Sequence, residues 1–381
     1  MTALTPSPKL AAVIDRSRFN KEYWRYTNLE KILATPYAPK QVANTTLWDK
    51  ALTNAVPYQA GSCRLVFLNG TLHKEETHFA HLSHDCLTGN ATEGYRLTIA
   101  PKTCLVTTPI ELVSITDGII AETGLSLAID LGASASLKIT EHHLSVAWTA
   151  ATHIPEITIK LGLQAKLEHN KILHTNFGIA HLARTIVHVN AGAFYRNFSL
   201  VKDTRLVRND IDVTLDGKLA QCELNGVMLL RDAEHADTFT HITHAAPHGT
   251  SRQLYKTIVK DRAKGTFQGK IIVAKDAQKT DGQQLSRALL LSDMAEMNAK
   301  PELEIYADDV SCSHGSTVGD LDADALFYLR ARGLSTTDAH ALLLRAFINE
   351  VIDITQDVGE TTHASHHNAD LKLSVDTWLN T

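Results

Sequence analysis

Dense lysine and arginine runs, C-x-x-C pairs and long apolar stretches are all missing from this 381-residue chain, and each absence removes a class of function. A formal net charge of -5 with no basic cluster gives a phosphate backbone little to hold, so nucleic acid is not an expected partner. No segment offers the roughly eighteen uninterrupted apolar residues of a membrane-crossing helix, so no membrane partner is expected. Near the start, the apolar stretch from Leu10 to Ile14 breaks off at Asp15 and cannot serve as a signal-peptide core, so a cytoplasmic protein is expected. The five cysteines, Cys63, Cys86, Cys104, Cys222 and Cys312, are scattered and odd in number, which supports neither a disulfide framework nor a complete structural zinc site. Nucleotide machinery is missing too. In Gly265-Thr-Phe-Gln-Gly-Lys-Ile271 the spacing is one residue short of a phosphate-binding loop, and Ile271 stands where a magnesium-binding hydroxyl belongs. No G-x-G-x-x-G opens a helix after a strand and no G-x-S-x-G elbow occurs, so dinucleotide binding and hydrolase chemistry both lack their local machinery.

What is present divides into three regions. Residues 1–58 lack alternation and read as a helical or irregular leader. Residues 59–318 consist of short period-two runs separated by Gly, Asn, Asp or Pro, as in 96–100, 125–131, 135–140, 156–161, 210–215 and 303–307. In 210–215, Ile211, Val213 and Leu215 face one way while Asp210, Asp212 and Thr214 face the other, so one side is buried and one is wet. So many short strands with few helical windows exclude a doubly wound α/β fold and leave a sandwich, a barrel or a β-helix. No fixed-length repeat is visible, although rungs of this kind suit a solenoid whose coils vary in length. From 319 to 381 the pattern is helical. One short helix spans 322–332 and ends at Gly333, which readily takes the left-handed terminal conformation; Ser335 and Asp338 then open a second helix that runs to about residue 354. That second helix is apolar on two sides, with a core stripe of Ala339, Leu342, Leu343, Ala346, Phe347, Val351 and Ile354 and an opposite stripe of Leu344, Ile348 and Ile352. Both stripes need cover, and at a chain end another protein can supply one of them. The last stretch, with His363, His366 and His367, reads as a flexible solvated tail.

The chemistry concentrates at Cys312 and His314. Two residues apart on an extended chain, they project from one face with Cα atoms about 6 to 7 Å apart, so both can approach one metal. Thiolate and imidazole suit zinc or iron, yet two ligands make half a tetrahedral site and no nearby cysteine completes it. His241, His244 and His248 are less suited to a metal, because His241 and His244 point to opposite faces of a strand and Pro247 interrupts before His248. Adjacent Asp308 and Asp309 also face opposite ways, which argues against an acid/base pair and for solvating or capping the sheet end.

The segment 304–319, E-I-Y-A-D-D-V-S-C-S-H-G-S-T-V-G, closely resembles the SufB/SufD family of iron-sulfur cluster assembly scaffolds, and its SufD side in particular. The resemblance continues through Phe327-Tyr-Leu-Arg-Ala-Arg-Gly333, Asp338-Ala and Ala346-Phe, and upstream through residues 244–256, Gly269-Lys-Ile and 279–283, and so covers nearly all of 240–350. Trp24-Arg25-Tyr26-Thr27 resembles the W-R/K-Y-T motif near the start of many members, although a packed aromatic turn accounts for it equally well. The resemblance implies a mainly β fold: a right-handed parallel β-helix core flanked by N-terminal and C-terminal helical regions. It implies a scaffold that pairs with a SufB-like subunit at His314, with Cys312 in a lesser role, and holds no stably bound cofactor beyond a transient iron-sulfur cluster at that interface. It also implies a SufC-like ATPase docked on Tyr328, Arg330, Arg332 and Gly333, with Leu343 and Phe347 supporting the helix pair, so that ATP-driven motion exposes the assembly site. Self-association of the same edge into a homodimer is the variant of this reading. From a different class, a β-helix lyase or hydrolase acting on polysaccharide remains open, although an aromatic content of 6% leaves little to line a sugar cleft. Residues 59–200 match the family in character only, and no functional residue is assigned there.

Overall fold

Alternation along each strand sets the architecture. In the strand Glu156–Leu161, the side chains of Ile157, Ile159 and Leu161 are buried while those between them face outward. This strand lies parallel between Ser126–Leu131 and Ile179–Val189, with Ile157 level with Leu127 on one side and Thr185 on the other. Repetition of this stacking gives a parallel β-solenoid of about seven turns. The computed structural model describes residues 8–19, 21–29, 48–58, 61–117, 122–146, 151–174, 179–354 and 362–379.

Two sheets form the walls. Sheet A runs from a small antiparallel pair at Cys63–Leu68 and Thr71–Leu72 through Cys104–Thr116, Ser136–Ser145, Lys166–His174, Phe194–Lys202, Gln221–Leu230, Thr250–Val259 and Asp281–Leu290 to Ser311–Gly319. Sheet B runs from Leu87–Asn90 and Gly94–Ile99 through Ser126–Leu131, Glu156–Leu161, Ile179–Val189, Leu206–Leu215, His235–His244 and Lys264–Val273 to Glu296–Ile305. Between them lies one continuous core that includes Leu65, Leu137, Leu167, Tyr195, Leu224, Ile242 and Phe267.

The coils turn at tight corners. Lys102, Ser134, Gln164, Gly192, Leu219, His248 and Lys279 all have positive φ and recur at intervals of 27 to 32 residues. Each is followed by a small residue, and Ala135, Ala165, Ala193 and Ala220 are fully buried there. This is the repeat that the sequence does not display: its length varies, and its marker is a backbone conformation rather than a residue type.

Helices cover the outer faces. Helix α1 (Pro8–Phe19) and the turn after it place Val13, Trp24 and Leu29 on sheet B beside Ile154, Leu182 and Leu206. Helix α2 (Trp48–Ala55) buries Leu52 on sheet A against Val66, Val113 and Ile115. After the last strand come α3 (Ala323–Ala331), α4 (Thr336–Ile354) and α5 (Thr362–Leu379). Asp322 caps α3 by accepting hydrogen bonds from the Asp324 and Ala325 amides, and Gly333 follows its end with φ +96°. At the start of α4 the Ser335 hydroxyl donates to the Asp338 carboxylate and accepts from the Asp338 amide, so Ser335 caps the helix with one of the two bonds of a capping box.

Two sequence readings are corrected here. In α4, the residues that pack on sheet A are Leu344, Ile348, Val351 and Ile352, against Leu200, Val227, Leu229 and Ile258. Of the stripe taken for core, Ala339 and Val351 are buried, Leu343 and Phe347 are half-buried, and Leu342, Ala346 and Ile354 are exposed. Sheet A decides the matter, because its outer surface carries apolar columns that the shorter stripe covers together with Val351. The stretch read as a flexible tail contains α5, whose Leu371, Val375 and Trp378 join the same cluster. The side chains of His363, His366 and His367 lie outside the described residues.

Candidate functional site

The solenoid ends on an open rung. Ser311–Gly319 pairs on one side with Asp281–Leu290 and is the terminal strand of sheet A; Glu296–Ile305 likewise ends sheet B. Among the described residues neither has a strand on its outer side, and burial falls away along both. The Ser311 amide donates to the Thr280 carbonyl at 2.9 Å. Backbone groups alternate in direction along a strand, so residues 311, 313, 315 and 317 bond inward while Cys312, His314, Ser316 and Val318 direct N–H and C=O to the free edge.

Cys312 and His314 sit level with Gly282 and Gln284 of the preceding rung. The thiol lies against Gly282: a Cβ placed there would be 3.4 Å from Cys312 Sγ, in ordinary contact. Burial pushes the Cys312 thiol above its ordinary value and outweighs a hydrogen bond with the Gly282 backbone, so the group is a thiol rather than a thiolate at neutral pH. His314 is exposed and lines a groove with Ser313, Arg252, Gln284, Leu285 and, from the end of α4, Ile354. The pair thus shares a strand, with an imidazole open to solvent and a thiol turned partly into the core.

The other proposed contact residues cluster on α3 and the start of α4. Helix α3 buries none of its side chains; Phe327 is 74% and Tyr328 57% exposed, and Arg330, Arg332 and Gly333 are exposed beside them. Leu342 is 44% exposed and Leu343 half-buried on the facing side of α4. Phe347 differs. Its ring lies 4.4 Å from Lys256 Nζ, which donates to the Phe347 carbonyl at 2.6 Å and pairs with Glu350, so this residue belongs to the staple that holds α4 on sheet A.

The remaining sequence candidates are structural. His241 faces outward toward Asp212, whereas His244 is buried and bonds Ser251 Oγ at 2.9 Å; burial lowers its pKa to about 4 against the pull of Asp281. His248 occupies a corner with φ +59°. Asp309 pairs with Lys279 across a corner, and its amide donates to Gln278. Residues 265–271 lie within the strand Lys264–Val273 of sheet B. In the leader motif the Thr27 hydroxyl donates to Asp237 at 2.6 Å, and Arg208, fully buried between Asp210 and Asp237, stacks at 4.6 Å on Trp24. The packed aromatic turn is what this motif builds.

A cluster that sequence reading misses lies inside the solenoid, where His143, His153 and His181 bring ring nitrogens within 4.8 Å of one another, all buried. Their separations in sequence match no metal motif. The one cue is that His153 and His181 are 28 residues apart, one coil, and stack in register.

Comparison with known proteins agrees with this architecture. The family model described as "SUF system FeS cluster assembly, SufBD core domain" matches residues 121–347. The chain is similar to the iron-sulfur cluster assembly protein SufD of Escherichia coli, at 36% identity over 259 residues, covering 66% of this chain and 60% of that protein. It is also similar to an iron-sulfur cluster assembly SufBD family protein of Synechocystis, at 38% over 195 residues (51% of this chain, 43% of that one). A chloroplastic protein of Arabidopsis thaliana, ABCI7, is 34% identical over 200 residues, or 52% of this chain and 42% of that one. The matched stretch thus spans less than two thirds of the length of each relative. Among the described residues no helix is long and apolar enough to cross a membrane. With a parallel solenoid, a family model that covers more than half of its length and relatives of this kind, the chain belongs to the SufB/SufD family of iron-sulfur cluster assembly proteins and within it is most like SufD.

Proposed function

We propose that this chain is a non-enzymatic, cytoplasmic scaffold subunit of a SUF-type complex, pairing with a SufB-like subunit along the open rung at Ser311–Gly319 and receiving a SufC-like ATPase on α3 and the exposed side of α4. The observation that carries this reading is the placement of His314 on an unpartnered strand edge. An imidazole open to solvent beside four outward-directed backbone positions supports a site completed from the other side of an interface. The iron-sulfur cluster is cargo here. His314 supplies one nitrogen ligand, Cys312 is held as a thiol, and the remaining ligands come from the partner.

Exposed Phe327 and Tyr328 on α3 and Leu342 on α4 support docking on the helix pair, since large exposed apolar side chains mark an interaction site. The groove that His314 shares with Ile354 places the end of α4 beside the assembly edge, which gives movement of the docked ATPase a short route to it.

His314→Ala in cells lacking the wild-type copy tests the central claim. Iron-sulfur enzyme activities should fall while the purified variant keeps the circular dichroism and melting temperature of the parent. Normal activities with the variant as sole copy would overturn it.

A further inference from the structure

We propose that His143, His153 and His181 form a mononuclear binding site for a borderline divalent transition ion, zinc or ferrous iron in class, inside the solenoid and separate from the strand edge. His143 projects from sheet A, and His153 and His181 project from adjacent coils of sheet B. The orienting groups argue for a built site. His143 Nε2 donates to Glu141 Oε1 at 2.5 Å, which leaves Nδ1 as the free nitrogen. His153 Nδ1 lies 2.9 Å from Thr123 Oγ1, which leaves Nε2. These two free nitrogens are 3.3 Å apart. Metal-nitrogen bonds of about 2.0 to 2.1 Å in a tetrahedral site require nitrogens about 3.3 Å apart.

His181 is the independent observation. It is fully buried, yet neither of its ring nitrogens has a hydrogen-bond partner among the described residues. An unpaired buried polar group costs stability unless something occupies the space it faces. Its ring centroid lies 4.6 Å from that of His143 and 5.5 Å from that of His153.

The shell beyond is that of a metal centre. Glu141 accepts from both His143 and His169, the latter at 2.8 Å, and His169 is held in turn by the Tyr195 hydroxyl at 3.1 Å. A carboxylate that fixes a ligating histidine sets its tautomer and raises its basicity. Ser114 Oγ, 3.2 Å from His153 Nε2, stands where a fourth oxygen ligand or a bound water belongs. Three imidazoles without a thiolate select zinc, ferrous iron or a neighbouring ion over magnesium or calcium.

The test uses the full chain, stripped with chelator and titrated with Zn(II), and with Co(II) as a visible-spectrum reporter. One equivalent should bind, and X-ray absorption of the zinc form should show nitrogen neighbours at about 2.0 to 2.1 Å and no sulfur. Glu141→Gln should weaken binding roughly 10- to 100-fold, and His181→Asn should weaken it further. Replacing His363, His366 and His367 together with Ala should leave the equivalent in place. Failure of the intact chain to bind, sulfur in the absorption spectrum, or full binding by folded His181→Asn would each overturn the proposal. The absorption measurement needs no variant, so a misfolded substitution cannot mask the answer.

Discussion

Ser316→Pro separates the proposed interface from the fold. Ser316 lies in the terminal strand, and the alternation fixed by the Ser311–Thr280 bond directs its N–H to the free edge. Proline therefore removes no bond between this strand and Asp281–Leu290, and its φ is tolerated on an edge. Gly315 before it is already extended, so the restriction that proline places on its predecessor is met. At an interface built by strand addition, the same change deletes one donor and strands a carbonyl on the partner. A buried acceptor left without a donor costs about 1 to 3 kcal/mol. That is a loss of roughly 5- to 150-fold in affinity.

The measurement is the dissociation constant of the full chain for its SufB-like partner, alongside thermal unfolding. The expected result is weakened pairing at an unchanged melting temperature. Ser313→Pro is the internal contrast, because its N–H points inward: it should lower the melting temperature as well. A homodimer built on the same edge should likewise dissociate with Ser316→Pro. Affinity preserved within about twofold in a folded Ser316→Pro chain would refute the strand-edge reading.

Further outcomes follow from other parts of the structure. His244 has a folded pKa of about 4 against an ordinary value of 6.5, so the unfolded chain binds the extra proton as pH falls; this contribution is complete above 6.5 and is lost toward 4. Denaturant titrations should therefore show that His244→Gln removes about 2 kcal/mol from the loss of stability between pH 7.5 and 5. Leu342→Asp should abolish co-purification with the ATPase at constant melting temperature, whereas Phe347→Asp should also destabilise the chain by disturbing the Lys256 staple. Asp237→Ala leaves the buried Arg208 guanidinium with Asp210 as its one carboxylate beside the Tyr23 carbonyl, and leaves Thr27 with His235, so unfolding should move by about 3 to 5 kcal/mol and proteolysis should begin near the leader.

Strand existence was readable because apolar and polar residues alternate; Ile211, Val213 and Leu215 are buried as that pattern requires. Strand order was not, since coils of 27 to 32 residues share no repeated motif and their corners are marked by positive φ at residues as different as Lys102, Leu219 and His248. The parallel solenoid came from resemblance, and the stacking of the strands agrees with it. On α4, periodicity found both apolar stripes but could not rank them, because the choice depends on Ile258 and Val227 pointing out of sheet A, and strand-local reading treats outward positions as wet. The placement of Cys312 and His314 on one strand follows from their spacing, whereas the groove around His314 draws Arg252, Gln284 and Ile354 from distant parts of the sequence. The histidine trio was not legible, because His143 meets His153 across the solenoid interior and His181 joins only through stacking.

The two histidine sites differ in what must happen for a metal to leave. Inside the coils, every proposed ligand comes from one chain and release requires that the chain open. At the terminal rung this subunit would contribute the His314 imidazole, and Cys312, raised above its ordinary pKa by burial, does not readily add a thiolate. Under the proposed pairing, anionic sulfur must therefore come from the partner or from the cluster's own sulfide. Moving the two edges apart then removes a ligand at each strand displaced, without unfolding either subunit. An assembly site needs that property, because its product has to be surrendered. Under that pairing the half-site at His314 would support a transient cluster for the same reason that it could not hold a permanent one.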